Sequence, residues 1–169
     1  MLSLLFGGEW VALKYVGWCA LLLYVFFRVL WPQILFHLKY KKIDLMSGEE
    51  FEEYVAYVLI KRGFREVALT AQSNDFGIDV IAHYRKIKYA VQVKRYSGLV
   101  GLDAVQEAYA GAAYYEAQVA LVITNSEFTS AAQKLADSCN VILVNREAFF
   151  SRDFAHELHN IVCDGMVNL

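Results

Sequence analysis

Residues 77–96, GIDVIAHYRKIKYAVQVKRY, decide the fold of this chain. Apolar and polar residues alternate on both sides of a basic break at residues 85–88. Alternation with a period of two is typical of strands, and a short polar break between two such runs is typical of a tight connection. We therefore predict an antiparallel hairpin made of residues 77–84 and 89–96.

The hydrophobic spacing outside this hairpin predicts further helices and strands. Ser47 and Glu50 have the spacing of a capping box and begin a helix that Gly63 ends. A strand follows near residues 64–70. After the hairpin we predict helices over residues 101–115, 127–138 and 146–160, and strands over residues 118–124 and 141–144. Three early strands with short links form a meander, and the later strands alternate with helices. The result is an α/β fold with a mixed central sheet flanked by helices.

The first 40 residues have a different composition from the rest. Only four of them are charged, and all three Trp residues and the single Pro of the chain lie here. A helix from Trp10 to Trp31 would be about 32 Å long at 1.5 Å per residue, close to the thickness of a hydrocarbon core. Trp10 and Trp31 at its two ends would then lie at the two interfaces, where such rings are favoured.

This segment therefore predicts an N-terminal transmembrane helix. Lys39, Lys41 and Lys42 follow it, so the positive-inside rule places the remainder of the chain in the cytoplasm. We expect a single-pass membrane protein with a membrane anchor and basic segment in residues 1–43 and a second domain in residues 44–169. A hydrophobic helix that lies in the interface without crossing is the alternative.

The charge after residue 40 is acidic overall and basic in one place. From Lys41 onward there are 13 Lys and Arg against 17 Asp and Glu, so a generally basic surface for nucleic acid is excluded. Five basic residues nevertheless fall together without an acid among them: Arg85, Lys86, Lys88, Lys94 and Arg95. Such a run is either a solvated hairpin or a local contact for nucleic acid. Three cysteines without a C-x-x-C pair argue against a disulfide framework or a structural zinc site.

The predicted hairpin carries the residues that point to chemistry. Gln92 and Lys94 are two apart on one strand and share a face, and the neighbouring strand brings Asp79 close to them. The Asp79 carboxylate, the Gln92 side-chain oxygen and the Val93 carbonyl are the oxygen ligands that Mg²⁺ prefers. Lys94 would orient or activate a metal-bound water for attack on phosphorus. On spacing alone, an exposed hairpin with ordinary polar faces explains the same pattern.

Several motifs in order resemble the catalytic domain of the Mrr-type restriction endonucleases, a branch of the PD-(D/E)xK nuclease superfamily. The resemblance runs from Gly48 to about Val144. It rests on residues 48–52 (GEEFE), 63–64 (GF), 73–79 (SNDFGID), 91–96 (VQVKRY), 105–106 (VQ), 111–112 (GA) and 122–129 (VITNSEFT). The resemblance implies a restriction-endonuclease-like αβββαβ core, here preceded by the predicted transmembrane helix.

The resemblance also implies roles for individual residues. Asp79 is implied as the metal-binding aspartate, Gln92 as the residue at the D/E position and Lys94 as the catalytic lysine. Glu52 corresponds to a glutamate of the first helix that contributes to the site. Ile78 stands where the superfamily name has proline. Gln92 matches the Mrr-like branch but replaces the acid of the wider superfamily, so one negative charge is missing beside the metal, and Glu52 would restore it. The residues predicted to contact nucleic acid are Arg85, Lys86, Lys88, Arg95, Tyr96 and Gln106.

The implied function is a Mg²⁺- or Mn²⁺-dependent endonuclease that hydrolyses DNA, tethered to a membrane and restricting foreign or modified DNA. Cleavage of both strands would call for a homodimer. A chain without a reader module would take its specificity from a separate subunit or from DNA shape. Two alternatives stay open. One is a catalytically silent nucleic-acid-binding module on the same fold, which the neutral Gln92 and the acidic net charge favour. The other is a membrane scaffold that binds protein.

Overall fold

The computed structural model describes residues 7–31, 42–70, 76–151 and 153–167. The chain falls into two compact units, residues 1–43 and residues 44–169. The first unit contains helix α1, Gly7–Val25, which continues as a π-helical turn over Phe26–Leu30.

The transmembrane helix predicted from Trp10 to Trp31 is not supported by the structure. Among the described residues, none of the helices has both the length and the apolar character that a membrane crossing requires. The α-helical part ends at Val25 after 19 residues. Glu9 and Lys14 lie in its first half and lower its mean hydropathy.

The second unit is a five-stranded sheet with helices on both faces. Its elements in chain order are α2 Gly48–Lys61, β1 Arg65–Leu69, β2 Val80–Tyr84, β3 Ile87–Lys94, α3 Leu102–Tyr114, β4 Val119–Thr124, α4 Ser130–Cys139, β5 Val141–Val144, α5 Arg146–Phe150 and α6 Phe154–Val167. The strands lie in the order β1-β2-β3-β4-β5. β1, β2 and β3 are antiparallel, whereas β3, β4 and β5 are parallel. The predicted mixed α/β fold is confirmed.

Helix α2 begins and ends as its sequence predicts. The Ser47 hydroxyl accepts the Glu50 amide proton at 3.1 Å, and the Ser47 amide donates to the Glu50 carboxylate at 2.7 Å. This reciprocal pair satisfies two amides that the first helical turn leaves free. The chain leaves the helix at Gly63 with φ +89°, a conformation that glycine adopts at little cost.

The hairpin forms with a tighter turn than predicted. Its register runs from Val80↔Val91 to Tyr84↔Ile87, so only two residues connect the strands. Arg85 and Lys86 take φ values of 47° and 72° there. Two successive positive φ values are the geometry of the two-residue hairpin turns that match the twist of the flanking strands.

The two faces of β3 are covered by different helices. Tyr89 points to the face of α2 and the segment after it, where its ring centroid lies 5.5 Å from that of Phe64. Ala90 belongs to the buried cluster on the other face, together with Ala104 and Ala108 of α3. Because alternate strand residues point to opposite faces, Gln92 lies under α3 as well. The alternative interpretation, an exposed hairpin with ordinary polar faces, is wrong at this position, because Gln92 is 4% exposed.

The predicted final helix over residues 146–160 is two helices. Helix α5 ends at Phe150, and the next residue, Ser151, has an extended backbone with φ −55° and ψ 143°. The Ser151 carbonyl accepts a hydrogen bond from the Arg62 side chain at 2.5 Å. This contact with α2 ties the break to the rest of the domain.

Candidate active site

Asp79 lies where β3 runs on past the beginning of β2. The pairing of the two strands begins at Val80↔Val91, so residues 92–94 of β3 extend beyond it. The Asp79 amide donates to the Val91 carbonyl at 2.9 Å. The Asp79 carboxylate then accepts the Val93 amide proton at 2.6 Å. The Asp79 carboxylate therefore accepts the hydrogen bond that a further residue of β2 would otherwise accept from this edge of β3.

The backbone bends sharply just before this carboxylate. Phe76 and Gly77 have φ values of 49° and 75°. The Thr70 amide donates to the Asp79 carbonyl at 3.0 Å, and the Thr70 hydroxyl donates to the Ile78 carbonyl. The Asp79 backbone is thus hydrogen-bonded to β3 through its amide and to Thr70, just after β1, through its carbonyl. These two hydrogen bonds fix the position of its carboxylate. Residues 73–75 of the SNDFGID motif lie outside the described residues.

Val93 and Asp79 come together as predicted. The amide and the carbonyl of one residue in a strand point to the same side. Since the Val93 amide donates to Asp79, the Val93 carbonyl faces the same edge of β3. Two of the three predicted metal ligands therefore share this edge.

Gln92 is the third predicted ligand, and it carries an unusual buried oxygen. The side chain is 4% exposed. Its Oε1 atom is buried and has no hydrogen-bond partner among the described residues. A buried acceptor without a partner costs about 1–3 kcal/mol. A cation bound at this position would remove that cost, so the donor set fits a hard divalent metal that takes oxygen ligands.

Lys94 is paired with an acid that the sequence patterns did not identify. Its Nζ lies 2.5 Å from Oε2 of Glu107 in α3. A Cβ atom added to Gly77 would lie 2.6 Å from the Glu107 Cβ and 3.3 Å from the Gln92 Oε1. Gly77, Gln92 and Glu107 therefore meet at one point, and Glu107 links them to Lys94.

Helical periodicity could have found Glu107. Ala104, Ala108 and Gly111 form the buried face of α3, and Glu107 lies on the same side of the helix, three residues after the first of them. A charged residue on the buried face of a helix needs a partner. Gln106 lies on the exposed side of α3, and its contact with nucleic acid stays a prediction.

Glu52 lies in α2, which packs on the opposite face of β3 from α3. It is half-buried near the beginning of α2, the helix that packs on the Tyr89 side of β3. Its contribution to the site stays a prediction. In the part of the chain that the structure describes, no group of three or more His, Cys, Asp and Glu side chains could hold a metal. The donor set above is mixed, because an amide and a backbone carbonyl complement the Asp79 carboxylate.

The basic hairpin is remote from this site. Arg85 and Lys86 form the turn at the far end of β2 and β3, roughly 20 Å from Asp79 at about 3.3 Å per residue. The Lys88 Nζ donates to the Tyr115 carbonyl at 2.6 Å. The structure therefore does not bring these three predicted nucleic-acid contacts together with Asp79.

Arg95 and Tyr96 lie beside the site, directly after Lys94. They line a pocket of about 450 Å³, together with Asp44, Ser97, Asn125, Ser126, Glu127 and Arg146. Arg95 donates to the Asp44 carbonyl, Arg146 donates to the Asp44 carboxylate, and the Tyr96 amide donates to the Asn125 side chain at 2.7 Å. The pocket lies at the carboxyl ends of the parallel strands, where ligands bind in open α/β sheets.

Such a sheet, with these residues at its edge, defines a restriction-endonuclease-like domain. A family model for restriction endonucleases (Mrr_cat) matches residues 43–152. The match covers more than half of the chain, so the chain belongs to this family.

Two solved structures are similar to the chain. One is described as "Crystal Structure of Protein of Unknown Function AF1548". It aligns with a TM-score of 0.50 and 20% identity over 64% of this chain and 65% of that chain. The other is the DNA modification-dependent restriction endonuclease AspBHI, with a TM-score of 0.39 and 16% identity over 63% of this chain and 35% of that chain. The first supports the fold alone, and the second is too distant to bear on function. The comparison with curated proteins gave no match.

Proposed function

We propose that residues 44–169 form a metal-dependent endonuclease that hydrolyses phosphodiester bonds in DNA. The observation that carries this proposal is that three groups lie at the same end of β3. They are the Asp79 carboxylate, the buried Gln92 oxygen and the Lys94 ammonium. Membership in a restriction endonuclease family supports the same chemistry.

Asp79, Gln92 and the Val93 carbonyl would hold Mg²⁺ or Mn²⁺. When bound, the cation would polarise a phosphoryl oxygen and acidify a water molecule. The Val93 amide fixes one Asp79 oxygen at 2.6 Å and so orients the carboxylate. Lys94 contributes a positive charge beside the attacked phosphate, where an oriented donor stabilises the charge that develops in the transition state.

The pocket beside Lys94 supports a nucleic acid as the substrate. Tyr96 is 55% exposed and offers a ring on which a base or sugar can pack. Arg95 and Arg146 lie in the same pocket, where both donate hydrogen bonds to Asp44, and their positive charge favours a phosphate nearby. Because the domain is acidic overall, we expect contact with DNA to be local to this end of the sheet.

The proposal is tested by cleavage of plasmid DNA with the purified full-length chain in Mg²⁺ and in Mn²⁺. We expect Asp79→Asn and Lys94→Ala each to lower the cleavage rate by roughly 100-fold or more. Asp137→Asn and Lys134→Ala change exposed residues of α4 and serve as matched controls. Equal rates in the site variants and their controls would refute the assignment.

A second function is favoured by the neutral side chain at position 92. A domain with too little negative charge to hold a metal would bind DNA without cutting it. Salt-dependent DNA binding by a chain that shows no cleavage in either metal would support this catalytically silent module. Restriction of foreign or modified DNA, a homodimer and a separate specificity subunit also belong to the proposal, and the size of the DNA-bound complex tests the last two.

We also propose that the first unit associates with a membrane. Tyr15, Trp18, Leu22 and Phe27 are each more than half exposed there, at 68%, 64%, 65% and 59%. Large exposed apolar patches mark sites of association. The test is flotation of the full-length chain with lipid vesicles, against a variant with Leu22→Asp and Phe27→Asp. Equal flotation of both would overturn the proposal.

A further inference from the structure

We infer that Glu107 supplies the second acidic side chain of the metal site, from helix α3 rather than from the strand. The inference rests on the proposed nuclease function and concerns the acid that position 92 lacks. It gives α3 a direct part in holding the metal.

The first argument is position. Oε2 of Glu107 lies 2.5 Å from Nζ of Lys94, and its side chain is less than half exposed, at 42%. The Glu107 Cβ and the Gln92 Oε1 lie within 3.3 Å of one point beside Gly77. Glu107 therefore reaches the lysine and adjoins the buried amide oxygen at the same time.

The second argument is charge. Asp79 carries one negative charge, Lys94 one positive charge and Gln92 none, so these three side chains are neutral together. A divalent cation beside an ammonium group would be poorly held by a neutral cluster, because like charges repel and little opposes them. Glu107 makes the cluster negative. Its carboxylate has two oxygens, so that one can bind Lys94 while the other binds the cation or a water of its hydration shell.

The third argument is the glycine between them. With φ +75°, Gly77 adopts a conformation that other residues rarely take. A Cβ there would also collide with the Glu107 side chain at 2.6 Å. The glycine at the bend before Asp79 therefore allows Glu107 of α3 to lie against β3. A simple helix–sheet ion pair with Lys94 would not require this approach to Gln92.

The experiment measures Mn²⁺ binding to the full-length chain by calorimetry, without DNA. We expect Glu107→Gln to weaken Mn²⁺ binding by about 10-fold or more. Glu116→Gln, an exposed change just after α3, should leave binding unaltered. The far-ultraviolet circular dichroism of each variant checks that it is folded, and Glu107→Asp keeps the charge if Glu107→Gln does not fold.

The decisive variant moves the acid back to the strand. Gln92→Glu combined with Glu107→Gln restores the total charge, and we expect Mn²⁺ affinity to return to within about threefold of wild type. A purely structural role for Glu107 predicts no such rescue.

The possible failures are distinguishable. Unchanged Mn²⁺ binding in Glu107→Gln, together with lost binding in Asp79→Asn, overturns this inference and leaves the proposed nuclease in place. If Asp79→Asn also has no effect on binding or cleavage, the proposed function itself falls, and this inference falls with it.

Discussion

Replacing Gly111 by alanine should destabilise the domain, although the same change stabilises most helices. Gly111 lies inside α3, where alanine normally gains about 1 kcal/mol over glycine. A Cβ at this position would lie 2.3 Å from Cγ1 of Ile78 and 2.8 Å from the carbonyl oxygen of Phe76. Ile78 is fully buried, and the Phe76 oxygen belongs to the backbone, so neither can move aside without shifting the chain.

The magnitude follows from these opposing effects. Overpacking of a well-packed core costs about 1–3 kcal/mol, and contacts this short place the cost at the upper end. After the helix gain is subtracted, we expect Gly111→Ala to lower the free energy of unfolding by about 1–2 kcal/mol. The displaced Ile78 directly precedes Asp79. We therefore also expect DNA cleavage to fall by about 10-fold, because small errors of position at a catalytic group are costly.

Urea unfolding followed by circular dichroism measures the first effect, and plasmid cleavage measures the second. Gly48→Ala is the matched control, because a Cβ at Gly48 meets nothing within 4 Å. It should be neutral or stabilising and leave cleavage unchanged. If Gly111→Ala stabilises the protein as Gly48→Ala does, the argument that α3 packs too closely against Ile78 to admit a Cβ atom at Gly111 is refuted.

The remaining predictions concern stability and the basic hairpin. Desolvation by burial raises the pKa of Tyr89 to about 12. The unfolded chain then loses this proton near pH 10 before the folded chain does, so stability is complete below pH 10 and falls as the pH rises towards 12. Between pH 8 and pH 11, the free energy of unfolding of Tyr89→Phe should fall by about 1 kcal/mol less than that of the wild type. Urea unfolding at the two pH values measures this difference. An unchanged difference would contradict the shifted pKa. Ser47→Ala should cost about 1 kcal/mol in thermal unfolding, whereas Ser47→Asn keeps a capping side chain and should cost less. Combining Arg85→Asn with Lys86→Gly removes both charges and suits the positive φ values of the turn. We expect it to leave the cleavage rate at saturating DNA unchanged, and a loss comparable to that of Asp79→Asn would show that the hairpin reaches the site.

Much of the fold was accessible from local patterns. The alternation around Gln92 and Lys94 predicted β3, and the Ser47–Glu50 spacing predicted the beginning of α2. These features depend on hydrogen bonds and side-chain directions among near neighbours. Element boundaries were less accurate. β2 begins at Val80 rather than at Gly77, because the positive φ of Gly77 takes the chain out of the strand.

The candidate site was only partly accessible in the same way. The family motifs identified Asp79, Gln92 and Lys94, and the hairpin register brings them to one end of β3. The basic residues do not form one cluster in space, because closeness along the chain does not imply closeness in space on a hairpin. Arg85 and Arg95 are ten residues apart, and β3 carries them to opposite ends of the sheet.

The amino-acid sequence by itself determined the strand alternation, the capping box and the tight hairpin, since each depends on side chains a few positions apart. The roles of Asp79, Gln92 and Lys94 were implied by the resemblance to a known family. The packing of α3 against one face of β3 was decided only by the tertiary structure. That packing brings Glu107 to Lys94 and buries the Gln92 oxygen. It also leaves no room for a Cβ atom at Gly77 or Gly111. The physical reason is that a contact between a helix and a strand is set by the volumes of all the side chains between them.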